Sequence, residues 1–111
     1  MMSEQTKASV PLTITPEATE FLRQHQAEEA FRTICEWVRE CFPELVRLHA
    51  RLENDWDEPG IQYVVLDTTL PNDYPYDRLH EQKTQLYQRR RELMSAATRE
   101  LICHEFQRVR E

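Results

Sequence analysis

At 111 residues the chain is the size of one domain, and 40% hydrophobic with 31% charged residues is an ordinary polar globular composition, outside the disordered and membrane-embedded classes. Glycine occurs once, at Gly60, which excludes the glycine-rich loops that cradle phosphates in nucleotide-binding motifs. The net charge of −6 is uneven, with 6 basic against 12 acidic side chains in residues 1–60 and 8 against 8 in residues 61–111, so general attraction to nucleic acid is not expected.

The opening segment MMSEQTKASVPLT has one lysine and no apolar stretch, so it reads as a flexible start over residues 1–9 and not as a secretory leader. One α+β domain is expected over 10–111. The longest apolar run, Tyr63 to Leu66, is far short of the ~20 residues of a membrane span. No membrane association is expected, and the cytosol is the expected location.

Val10 to Ile14 suits a short edge strand. Thr15-Pro16-Glu17 then starts a helix, with Thr15 as N-cap and Pro16 at the first helical position. Apolar residues fall at Ala18, Phe21 and Leu22 and again at Phe31, Ile34, Cys35 and Val38. At about 100° per residue these two stripes are roughly 140° out of phase on one helix. Two helices with a break at His25 to Ala27 are therefore predicted, the second ending before Pro43.

From Glu44 the period becomes two, with Val46, Leu48, Ala50 and Leu52 alternating with polar residues. Asn54 to Gly60 is rich in turn formers, and Ile61 to Leu70 reads as a second strand. The prediction is an antiparallel β-hairpin, about 45–53 and 61–69, with the four alternating residues buried. Tyr76 to Val109 contains no Gly or Pro and is predicted as one long helix, about 76–109, its stripe running through Leu79, Leu86, Leu93, Ala97 and Leu101. The helices should pack on one face of a small antiparallel sheet.

Candidate chemistry is sparse. Cys35, Cys41 and Cys103 show no C-x-x-C spacing and read as buried free thiols. His25, His49, His80 and His104 form no H-x-x-x-H pair, so no structural zinc and no cofactor is expected. Ser3, Ser9 and Ser95 lack a nucleophile-elbow context. Asp67 follows an apolar strand, a place where hydrolases and nucleases hold a metal, with Glu53 and Asp55 as its only nearby carboxylate partners; the acidic turn otherwise reads as solvated. Arg89-Arg90-Arg91 is the one basic cluster, but successive helical side chains diverge, and Arg78–Glu81, Arg89–Glu92 and Glu105–Arg108 are spaced as solvated pairs.

These absences favour a non-enzymatic interaction or accessory module, antitoxin-like or homodimeric, bound to another protein or to a second copy. The alternatives are a metal-dependent hydrolase or nuclease built on Asp67 and nucleic-acid binding through Arg89–Arg91. A straight helix of 34 residues would be roughly 50 Å long, longer than a domain of this size is wide. Its projecting end would then expose Leu101, Ile102, Phe106 and Val109, a surface for self-association unless the chain breaks near Ser95 to Thr98. Trp56, in the turn, is expected to fold back over the sheet or to meet a partner, and the first is preferred.

Overall fold

The computed structural model describes residues 10–109, so the expected flexible segment 1–9 lies outside the described residues. Among these it holds four strands and four helices: β1 (Leu12–Ile14), α1 (Pro16–Gln24), α2 (Glu28–Cys41), β2 (Arg47–Asn54), β3 (Gln62–Leu70), α3 (Tyr76–Leu93), α4 (Ala96–Leu101) and β4 (Ile102–Arg108). The architecture is α+β with one four-stranded sheet, ordered β1-β2-β3-β4.

Thr15 caps α1 by accepting from the Ala18 amide at 3.2 Å. The helix ends in a Schellman arrangement, in which the Ala27 amide donates to the Leu22 carbonyl at 2.8 Å and the Gln26 amide to the Arg23 carbonyl at 3.1 Å. Gln26 takes φ 55° there, the left-handed region where a side chain costs about 1 kcal/mol or more. Gln26→Gly should accordingly raise the unfolding free energy by about 1 kcal/mol, measured by urea denaturation. That closure lets α2 leave at a new angle. Both helices bury their stripes, Ala18, Phe21 and Leu22 from α1 and Phe31, Ile34, Cys35 and Val38 from α2.

The sheet is mixed, not antiparallel. The central pair β2–β3 is antiparallel, with Leu48 opposite Thr68 and Ala50 opposite Leu66. The outer pairs β1–β2 and β3–β4 are parallel, each connected by two helices. Leu48, Ala50, Val64, Leu66 and Leu70 face the helices and join Phe21, Ile34, Val38, Phe42, Leu86 and Ile102 in one core. Val46 does not share that burial: it is 49% exposed, because it and Arg47 both stand opposite Thr69, a bulge that takes it off the core-facing parity. Leu52 is only half-buried.

The expected helix over 76–109 is corrected. α3 stops at Leu93, Met94 turns extended (φ −130°, ψ 146°), and Ser95 caps the short α4 by accepting from the Thr98 amide at 3.2 Å. From Ile102 the chain is a strand. Its side chains alternate, with His104 and Phe106 toward the helices and Cys103, Glu105 and Gln107 on the other face. The 18 residues of α3 span about 27 Å, within the 43 Å long axis of the molecule, so no helix projects. Leu93, expected in the buried stripe, is 66% exposed, since the helix ends there.

Because the two parallel pairs run in opposite directions and both connections pass over the same face, the two crossovers have opposite hands. One of them departs from the right-handed preference of parallel strand connections, a path made easier by two helices in place of one. No helix among the described residues is long and apolar enough to cross a membrane.

Candidate functional site

With all four helices on one side, the other side of the sheet has no covering layer among the described residues. It presents Thr13 from β1, Arg47, His49, Arg51 and Glu53 from β2, Tyr63, Val65, Asp67 and Thr69 from β3, and Cys103, Glu105 and Gln107 from β4. The strand period of two dictates this set once Leu48 and Leu66 face the core.

Arg51 is the hub of this face. Its Nε donates to Asp67 Oδ2 at 2.9 Å, one terminal nitrogen donates to Glu105 at 3.2 Å, and the other pairs with Glu53. One guanidinium thereby ties β2, β3 and β4 together, and its pKa is pushed further up, first by the hydrogen bond to Asp67. Val65, between Arg51 and Cys103 in the register, is 2% exposed although it sits on the uncovered face. Asp67, the sequence candidate for metal binding, is thus brought together with Glu53 but held by an arginine. Asp55 instead closes the hairpin turn, accepting from the Asp57 and Glu58 amides at 2.9 and 3.3 Å. No group of three His, Cys, Asp or Glu among the described residues is placed to hold a metal ion.

Toward one end of the face the His49 ring and the Thr13 hydroxyl share a 2.7 Å hydrogen bond, and Gln107 Nε2 donates to Thr69 Oγ1 at 3.2 Å. A hollow of about 350 Å³ lies there among Thr13, Arg47, His49, Asp67, Thr69 and Gln107. A second, of about 620 Å³, shares Arg47, Thr69 and Gln107 with it and extends to Val46, Arg108 and Val109. Arg47 makes no ion pair among the described residues.

The arginine cluster on α3 is dispersed. Arg89 pairs with Glu40 at 2.7 Å and lies over the Trp37 ring, Arg90 is buried, and Arg91 points to solvent. The expected pairs three residues apart are replaced by tertiary ones, Arg78 with Glu44, Arg89 with Glu40 and Glu105 with Arg51, while Arg108 donates to the Tyr74 carbonyl.

The residues named for self-association fare unequally. Ile102 is in the core at 1% exposure, Phe106 packs on Phe42 with ring centroids 5.0 Å apart, and Leu101 packs against the core. Val109 is half-buried at the end of β4, its amide donating to the Leu70 carbonyl at 2.8 Å. The projecting apolar stripe is therefore absent, since this segment is a strand. Trp56 does not fold back over the sheet; it is 88% exposed, on a turn held by Asp55.

The thiols divide as well. Burial pushes Cys35 up to about 12 and raises Cys41. Cys103, expected buried, is exposed on the uncovered face, although local desolvation still raises its pKa. Iodoacetamide at mildly alkaline pH should label Cys103 alone in the folded protein, with Cys35 and Cys41 reacting only in denaturant; peptide mass mapping reads this directly.

The feature that sequence reasoning missed is the burial of His104, one of the four scattered histidines. His104 lies under α3 beside Tyr87 and Phe106, and among the described residues neither ring nitrogen has a partner or contact with solvent. Burial, with Arg90 nearby, holds its pKa down to about 3. Its position on a long predicted helix hid it. Comparison of the chain with protein-family models, with curated proteins and with solved structures gives no match.

Proposed function

We propose that this domain is a non-enzymatic interaction module whose uncovered sheet face and exposed hairpin tip receive another polypeptide. The observation that supports this reading most is the one-sided helix layer, which leaves a four-stranded surface open. Open, mixed polar surfaces of this kind suit protein contacts better than small-molecule chemistry, which favours enclosed apolar pockets with convergent polar groups. Trp56 adds a large exposed aromatic beside that surface, the residue type that most often anchors an interface. Asp67 and Glu53, carboxylates that a metal-dependent hydrolase would use, are each engaged by Arg51, and the arginines that would grip nucleic acid diverge. A cytosolic setting agrees with the free thiols.

Native mass spectrometry of the protein isolated from its own cells tests the proposal. The expected result is an assembly heavier than the 13.4 kDa chain, weakened in a Trp56→Ser and Arg47→Glu, His49→Glu variant and unchanged by Gln85→Glu on the helical side. A bare chain, with hydrolytic turnover or salt-sensitive retention on nucleic acid, would overturn it.

A further inference from the structure

The outer edge of β4 carries a specific possibility. In a parallel ladder a residue directs its N–H and C=O to the same side. The Val109 amide donates to Leu70 of β3, so the odd-numbered residues of β4 point inward and Ile102, His104, Phe106 and Arg108 point their backbone groups outward. The Ile102 carbonyl confirms that parity, since it accepts from Arg90 at 2.8 Å. Among the described residues, no backbone group pairs with the outward positions 104, 106 and 108. The opposite edge, β1, is three residues long, whereas β4 has seven and carries neither proline nor lysine, the residues that usually protect an edge.

We propose that β4 pairs antiparallel with β4 of a second copy about a twofold axis at Phe106, making one continuous eight-stranded sheet. This goes beyond the interaction reading above, which concerns the sheet face and the hairpin tip, and stands on the edge of β4 alone. Twofold pairing at this point sets each outward group of residues 104, 106 and 108 against its counterpart in the copy. Arg90, which already occupies the Ile102 carbonyl, marks where the pairing stops. The side chains favour this register over the one before it. With the axis at Phe106, Glu105 faces Gln107 of the copy, an amide donor beside a carboxylate; with the axis one residue earlier, Glu105 would face Glu105, a like-charge pair that sheets disfavour.

The same register places Cys103 opposite residue 109 of the copy at a non-hydrogen-bonded pair, where Cα atoms lie about 4.5 Å apart and a disulfide fits. Light scattering of the wild type up to about 100 µM should show a dimer. Gln107→Glu, which sets two carboxylates face to face twice, should weaken it roughly tenfold and Gln107→Lys should tighten it. Val109→Cys, oxidised without denaturant, should give a covalent dimer through Cys103 that reductant dissolves and Cys103→Ser abolishes. A dimer indifferent to residue 107 and uncrosslinked through residue 109 would overturn the edge pairing while leaving self-association by another surface. A wild-type monomer across this range would overturn the pairing and leave only a different protein as partner.

Discussion

Acidification from pH 6.5 to pH 3 is expected to remove on the order of 4 kcal/mol of stability through His104 alone. In the unfolded chain the imidazole titrates near 6.5, whereas in the fold it stays neutral down to about 3. Between these values the unfolded state binds the extra proton, so stability falls as pH falls, by about 1.4 kcal/mol per pH unit. Above pH 6.5 both states are neutral and the effect vanishes. The direction follows from the surroundings: burial against the Tyr87 and Phe106 rings desolvates the imidazole, Arg90 adds a like charge, and neither ring nitrogen has a hydrogen-bond partner among the described residues. Carboxylates titrate in the same range, so the informative quantity is the difference from His104→Leu. Urea denaturation at pH 7 and pH 4 should give a clearly shallower acid loss for the variant, which at pH 7 should be at least as stable as the wild type because no buried hydrogen bond is lost. Equal acid losses in both proteins would show that His104 is solvated.

Arg90→Met is expected to cost about 3 kcal/mol, the loss of two charged hydrogen bonds less the relief of desolvating a cation. The Arg90 guanidinium is buried, its pKa lowered by that burial, and it pairs with no carboxylate among the described residues. It holds the Arg99 carbonyl at 3.0 Å and the Ile102 carbonyl at 2.8 Å, so it joins the end of α3 to the junction of α4 and β4. Removing it leaves two carbonyls unpartnered at the point where helix turns into strand. Hydrogen exchange should therefore show protection lost first in β4, with the β2–β3 amides retained. Uniform loss across the sheet, or a denaturation midpoint equal to wild type, would contradict this role.

Much of the first half was legible because its signals are local. Thr15-Pro16 marks a helix start, two stripes out of phase require a break, and alternation from Val46 to Leu52 marks a strand. The break itself closes on Gln26, in a conformation usually given to glycine, which is why only the phase mismatch revealed it. The second half misled because absence of Gly and Pro was read as continuity of helix. The strand at 102–108 alternates less plainly than β2, since His104 and Arg108 share the parity of Ile102 and Phe106; Ser95 with Thr98 signals a new cap, but Leu101-Ile102 and Phe106-Val109 also fit a drifting helical stripe. What decides between them lies far away in sequence: the edge of β3, which β4 completes, and Arg90, which pins the turn. Parallel pairing of β1 and β4 was equally invisible, since the partners are brought together only by packing of the intervening helices.

The uncovered face was not legible either, as it depends on all helices choosing one side. Asp67, Glu53 and Glu105 were visible as residues but not as partners of one guanidinium. The carboxylates that suggested a metal site are bridged by Arg51, whose own parity on β2 was plain while its partners across two strands were not.

The strand order also bears on how the chain finds its fold. The central pair is joined by the short turn at 55–61, so its ladder closes at small entropic cost, whereas each outer strand joins only after two helices have formed between it and its partner. Folding should therefore begin in the middle of the chain and spread to both ends. Substitutions in Ala50 or Leu66 would slow folding, and those in Leu12 or Phe106 would mainly speed unfolding. The strand that offers its edge to another molecule is then among the last to dock and the first to leave, so assembly and the final step of folding become one event.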